Sequence, residues 1–329
     1  MAKILVIPDV HGSHQWEVAK SISPDSYDYA VFLGDYFDSW ENTWPDQGEN
    51  FKAICNFVRE DPAHRKLLIG NHDWSYISGT RDGCRVSGHQ SGHILEIRNL
   101  LEQNLDIIDL AFECDGWVFS HAGFSKTWVA SIKKVLHQIL DKWPEENDSE
   151  NKSLIWDEKE YCIDLLNQQW HTVTHSVEEE NFWYGFDELL DWYGFFSPSG
   201  DEISQGPLWI RPESLLQDAY YPKQVVGHTE MCLYEKVFLH QKENKVVVAD
   251  SALHEVYSVF DTSAEYSFIT IPEFFKWYKN TLKVINDIKS QIIYHKDATD
   301  FIQTSLKEHF PEDITAKLYK NAFKDYLEK

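Results

Sequence analysis

Five short clusters of carboxylate, amide and imidazole side chains punctuate the chain: Asp9-x-His11, Asp35 with Asp38, Asn71-His72-Asp73, His121 and Gly227-His228. None of them contains a thiolate. Oxygen and imidazole donors without sulfur suit divalent ions such as Mn, Fe or Zn. A carboxylate shared by two such ions would hold them within about 4 Å of each other, the spacing used in two-metal hydrolysis.

Each cluster follows a segment that reads as a strand. Ile4 to Ile7 is a continuous apolar run that ends in Pro8-Asp9-Val10-His11-Gly12, where Pro and Gly signal a loop. Tyr29 to Leu33 leads into Gly34-Asp35, and Lys66 to Ile69 into Gly70-Asn71-His72-Asp73. Trp117 to Ser120 ends at His121, and Gln224 to Val226 at Gly227-His228. In α/β sheets the crevice beyond the carboxyl ends of the strands is where ligands bind, so the clusters are expected to converge there.

The intervening segments read as helices. Residues 15–21 suggest a short one, and Asn50 to Arg59 carries Phe51, Ile54, Cys55 and Val58 on one face. Ile94 to Leu101 also looks helical. Strand, polar loop and helix therefore alternate, the pattern of a largely parallel sheet. Leu105 to Phe112, Leu233 to Leu239, Lys245 to Ala249 and Val256 to Phe260 read as further strands. Between about 125 and 205 long helical patterns rich in Trp, Glu and Asp predict a helical insertion. The expected organisation is one domain over 1–270 and a helical extension over 271–329, without internal repeats.

The motifs resemble the signature of the calcineurin-like metallophosphoesterases. The resemblance rests on Asp9-Val10-His11-Gly12, Gly34-Asp35-Tyr36-Phe37-Asp38, Gly70-Asn71-His72-Asp73, His121-Ala122-Gly123 and Gly227-His228-Thr229, in that family's order. One such motif is weak; five in order, each at a strand end, are specific. The nearest branch holds the serine/threonine phosphoprotein phosphatases and the bacterial diadenosine tetraphosphate hydrolases. The resemblance spans roughly residues 3 to 260, the insertion excepted, and implies an αββα sandwich of four layers with C-terminal helices outside it.

It also implies roles. Asp9 and His11 would bind one metal, Asp35 would bridge two, and Asn71, His121 and His228 would complete the second. A water acidified by both ions would attack phosphorus in line. His72 would protonate the leaving oxygen, and Asp38 would fix the tautomer of His72. The structural alternatives are core histidines for His121 and His228 and a helix cap for Asp38. Asp250 reads as a loop cap, and His14, His89 and His93 as surface residues or residues behind the ligands.

Phosphoprotein phosphatases usually continue the second motif with Arg-Gly, where this chain reads Ser39-Trp40. One phosphate clamp is thus missing. Arg211, in Leu208-Trp209-Ile210-Arg211-Pro212, resembles an arginine supplied by related bacterial phosphatases and is the leading substitute, since a guanidinium binds two phosphate oxygens at once. Arg81 and Arg85 are the others. Trp156, Trp170, Trp183, Trp192 and Trp209 could stack on a nucleobase, with core packing as the alternative.

Composition narrows the substrate. The formal net charge of -24 over 329 residues repels polyanions, so non-specific nucleic-acid binding is not expected. A phosphodiesterase or nuclease of this family often carries a second histidine two residues beyond the Gly-His, where this chain has Glu230. The expected activity is a phosphatase on phosphomonoesters of proteins or small metabolites, with two divalent ions, Mn first. A hydrolase of nucleotide polyphosphates is the alternative; a catalytically silent metal-binding module is disfavoured because every expected ligand is present. Five scattered cysteines, no long apolar run and no signal-like N-terminus point to a cytoplasmic protein without membrane contact.

Overall fold

The computed structural model describes residues 2–21, 26–77, 86–140, 163–175, 190, 202–229, 238–241, 244–249, 258–262, 268–269, 283–284, 287–291 and 298–309. Two sheets form its centre. In the first, β1 (Lys3–Ile7), β2 (Tyr29–Phe32), β3 (Arg65–Leu68) and β4 (Ile108–Asp109) run parallel, with Leu5 opposite Ala30 and Ala30 opposite Arg65. In the second, β6 (Trp117–Ser120), β7 (Lys223–Val226) and β9 (Asn244–Val248) are parallel, while β5 (Ala111–Cys114) and β8 (Phe238–Gln241) pair antiparallel at the edges. The first sheet is completed by β10 (Ser258–Asp261), antiparallel to β1, and by β11 (Phe268–Ile269).

The strand sequences dictate the layering. A parallel strand covered on both faces must be apolar on both, and β1 is buried at every position after Lys3. Ile4, Val6, Val31, Leu33 and Leu68 pack between the sheets against Trp117, Phe119, Val225 and Val247. The alternate residues Leu5, Ile7, Phe32 and Leu67 face outward onto Trp16 and onto Phe51, Ile54 and Val58 of α1 (Trp44–Glu60). On the opposite side Val226, Val246 and Val248 meet Ile210 and Leu215, the latter on α6 (Pro212–Asp218). The result is the expected αββα sandwich. α4 (Lys126–Leu140) and α5 (Ile163–His175) join the same core through Trp128, Ile132, Leu166 and Trp170. Beyond β11, α7 (Ala298–Lys307) buries Ile302 and Leu306.

Several boundaries differ from the expectation. The run Leu105 to Phe112 is not one strand: a 3-10 turn (Leu105–Ile107) precedes β4, and the chain then leaves the first sheet for the second at Leu110. Asn167 makes the switch possible. Its Oδ1 accepts from the Leu110 and Ala111 amides at 3.1 Å each, and its Nδ2 donates to the Ala111 carbonyl at 2.7 Å. Residues 14–21 form a 3-10 helix, and α1 begins at Trp44, six residues before the expected start, with Pro in its first turn. Asn71 and His72, expected in a loop, open α2 (Asn71–Ile77), and α3 spans Ile94–Glu102. Most of the expected insertion, the start of the strand expected at 233–239, and Arg81, Arg85, Asp250, Trp156, Trp183 and Trp192 lie outside the described residues. Among the described residues no helix is long and apolar enough to cross a membrane.

Candidate metal centre

The carboxyl ends of β1, β2 and β3 from one sheet meet those of β6 and β7 from the other. The loops after β1 and β2 are stitched together, with the Val10 and His11 amides donating to the Asp35 carbonyl at 3.1 and 2.7 Å, and the Gly12 amide to the Tyr36 carbonyl at 2.9 Å. The loops after β1 and β7 are tied by the His228 amide, which donates to Asp9 Oδ1 at 3.0 Å. Close approach demands glycine at two points. A Cβ on Gly70 would lie 2.1 Å from Asp35 Oδ1, and one on Gly227 would lie 2.5 Å from Asp9 Oδ1.

Backbone strain concentrates here. Among the described residues five non-glycines have positive φ, and four belong to this edge: His11 (43°), Asp35 (55°), Asp38 (67°) and His228 (60°). Such conformations cost of order 1–3 kcal/mol each and persist where the surroundings over-determine them, typically at functional sites. The surroundings can be named. Asp73, fully buried on α2, accepts from the Asp35 amide at 2.8 Å, the Tyr36 amide at 2.8 Å and the Gly70 amide at 3.0 Å. Left unpaired, each of those amides would cost about 1–3 kcal/mol. Burial nevertheless pushes the Asp73 carboxyl up to about 8.

The ring nitrogens of the histidines are fixed by what they face. His121 Nδ1 lies 2.9 Å from the Leu33 carbonyl, His228 Nε2 lies 3.1 Å from the Trp209 carbonyl, and His11 Nδ1 lies 2.9 Å from the Phe37 carbonyl. A carbonyl only accepts, so these nitrogens carry the protons and the opposite ones present lone pairs. The lone pairs converge. His121 Nε2 is 2.7 Å from Asn71 Oδ1, 3.2 Å from His228 Nδ1 and 3.5 Å from Asp35 Oδ2; His228 Nδ1 is 3.0 Å from Asn71 Oδ1. His11 Nε2 approaches the same Asp35 Oδ2 from the other side at 3.7 Å. Asp35 is therefore shared by two ligand-capable groups, one with His121 and His228 and one with His11 and His72.

Charge completes the test of whether a metal fits. Burial first, and then His121 and Arg211 beside it, hold His228 well below the ordinary imidazole range; burial holds His121 at about 4. Burial and then His72 lower His11. The opposite holds for Asp35, raised well above its ordinary value by burial, then Asp9 and Asp73. Imidazole lone pairs, an amide oxygen and a carboxyl whose charged form burial disfavours converge on one another, and a divalent cation there would take up the lone pairs and favour the carboxylate. The donor set fits divalent metal.

The remaining candidates fall around this set. Asp9 is 3.8 Å from His121 Nδ1 and lies outside both groups as they stand. His72 presents Nδ1 to Asp38 Oδ2 at 2.8 Å and Nε2 toward Asp35 Oδ2 at 4.0 Å, with its ring edge-on to His11. Arg211 Nη1 donates to the His228 carbonyl at 3.2 Å and the Thr229 hydroxyl at 3.0 Å. Ser39, where related phosphatases carry arginine, instead accepts the Glu41 and Asn42 amides in a tight turn. Trp170 is a core residue, donating to the Ile108 carbonyl; Trp209 stands edge-on to His228. His14 pairs with Asp46 at the surface, His93 stacks on Trp44 and His89 on Tyr76. Two participants escaped the sequence reading: Asp73, which lay inside a motif already noted, and Tyr76, one helical turn beyond His72, whose hydroxyl donates to Asp38 Oδ1. The His-x-x-x-Tyr spacing on α2 is the signal that could have found the second.

Comparison with known proteins bears on the same residues. Among solved structures, similar folds include a cold-active protein tyrosine phosphatase of a psychrophilic Shewanella species, at 17% identity and TM-score 0.46 over 82% of this chain and 80% of that one. A metallophosphoesterase from Sphaerobacter thermophilus aligns at 12% identity and TM-score 0.31 over 96% and 97% of the two chains. A search of curated proteins gives no match. The assignment rests instead on the family model described as Calcineurin-like phosphoesterase, which matches residues 2–199 and so takes in most of the converging motifs. The chain belongs to the calcineurin-like phosphoesterases, a family that implies divalent metal at this edge.

Proposed function

We propose that the chain is a dinuclear, metal-dependent phosphatase of phosphomonoesters, carried by phosphoproteins or small metabolites, in the branch of the phosphoprotein phosphatases and diadenosine tetraphosphate hydrolases. The observation that carries this reading is the position of Asp35, whose Oδ2 faces His11 on one side and His121 on the other. Asp9, His11 and Asp35 would hold one ion; Asp35, Asn71, His121 and His228 the second. Two divalent ions, Mn first among them, would supply Lewis acidity toward phosphoryl oxygens and would make water acidic enough to be a nucleophile at neutral pH.

The protein's own groups do the rest. His72 reaches the edge of the centre with Nε2, and Asp38 holds its Nδ1–H, which leaves Nε2 to give a proton to the departing oxygen. Arg211 lies against His228 and Thr229 and supplies a forked cation for the phosphate. A second reading, hydrolysis of a nucleotide polyphosphate, draws support from Trp209, whose ring lies beside His228 and could stack on a base.

The test is hydrolysis by chelator-stripped protein with Mn added back, comparing p-nitrophenyl phosphate with bis-p-nitrophenyl phosphate. The monoester alone should be cleaved, and only with metal; preference for the diester would replace the reading with a phosphodiesterase. In the same assay Arg211→Ala should raise KM about tenfold or more while kcat changes far less, the signature of lost ground-state binding by a charge-assisted pair. An unchanged KM would move the clamp elsewhere.

A further inference from the structure

Asp38 has two carboxylate oxygens, and the reading above uses only one. The other accepts from Tyr76, a side chain with no exposed surface. Tyr76 is itself held on every side. The Gln90 amide donates to its hydroxyl at 2.7 Å, the His89 ring stacks on it at 4.4 Å and 12°, and Arg98 Nε donates to its carbonyl at 2.7 Å. Since the amide must donate, the hydroxyl proton points to Asp38. His72 and Tyr76 stand one turn apart on α2, so a single rigid helix presents both partners to Asp38.

We infer that Tyr76 is a positioning residue for leaving-group protonation: it locks the Asp38 carboxylate so that Oδ2 always meets His72 Nδ1. The inference rests on His72 acting as the proton donor. A carboxylate with one free oxygen can rotate and offer either oxygen, or turn toward water; one gripped at Oδ1 keeps His72 in one orientation. Asp38 sits at a positive φ of 67°, so its backbone alone does not provide a relaxed seat. Burial, and then the negative charge of Asp38, push the Tyr76 hydroxyl well above its ordinary range, and it stays a donor.

The experiment compares wild type and Tyr76→Phe, both Mn-loaded, on p-nitrophenyl phosphate and on phenyl phosphate, with metal content measured alongside. The first leaving group departs with little help and the second needs a proton. Tyr76→Phe should keep its metal and nearly its full kcat on p-nitrophenyl phosphate, yet lose about tenfold on phenyl phosphate, a fraction of what a whole general acid contributes. Equal loss on both substrates, lost metal or no loss at all would overturn the inference. Wild-type inactivity on both esters would instead overturn the phosphatase reading, and the role of Tyr76 with it. If phenylalanine prevents folding, 3,5-difluorotyrosine at position 76 keeps the ring and the hydroxyl while altering the donated bond. The ratio of the two rates should then depart from the wild-type value, and an unchanged ratio would overturn the inference.

Discussion

Asp35→Asn should cost at least about 10³-fold in metal-dependent turnover, because several kcal/mol of charge stabilisation depend on one carboxylate and each 1.4 kcal/mol or so is a factor of ten. The substitution keeps the shape of the side chain. What it removes is the negative charge between His11 on one side and His121 on the other. The fold should not suffer for it. Asp35 is buried beside Asp9 and Asp73, and those neighbours already disfavour its charged form, so an amide there relieves repulsion in the metal-free protein. The expected result is therefore a variant at least as stable as wild type without metal, with depressed metal content and almost no activity. Metal content by mass spectrometry, thermal melting with and without chelator, and turnover together check it; full activity in the variant would remove Asp35 from the bridging role.

His72→Ala separates metal binding from proton transfer. His72 is 4.0 Å from Asp35 at its nearest ring nitrogen and is held by Asp38 instead. Its loss should leave both ions in place and lower turnover by about 10²–10⁴-fold on esters whose leaving group needs a proton. Activated esters should lose much less. The check is kcat across aryl phosphates of graded leaving-group acidity, with metal content measured in parallel. Loss of metal would make His72 a ligand, in keeping with its place beside His11 and Asp35, and undiminished activity on poor leaving groups would take it out of the acid role.

The edge where the motifs meet was legible because each motif sits where a strand of apolar residues stops, and such runs can be read in the sequence. Asp9, His11, Asp35, Asn71, His121 and His228 were placed together on that ground and on family likeness; the structure gathers His11, Asp35, His121 and His228 into two groups sharing Asp35, sets Asn71 against the second, and leaves Asp9 outside both. The layer order followed from the strand order together with the family likeness, since the residues alone pointed only to a largely parallel sheet. The sheet switch at Leu110 was not legible, since an apolar run is continuous whether or not the chain changes sheets, and the residue that permits the break, Asn167, is more than fifty positions away. α2 was not read as a helix because seven residues are too few for a helical period to show. Asp73 and Tyr76 were overlooked because their work is long-range: one caps amides of a neighbouring loop, and the other fastens a carboxylate thirty-eight residues earlier in the chain.

A paired centre bridged by Asp35 is the claim on which the rest depends. The most direct test is the electron paramagnetic resonance spectrum of the Mn-loaded protein, since two ions sharing a carboxylate couple magnetically and one ion does not. Wild type should bind two equivalents and give the multiline spectrum of a coupled pair, which Asp35→Asn should lose. A single equivalent with the six-line spectrum of isolated Mn in the wild-type protein would contradict the account.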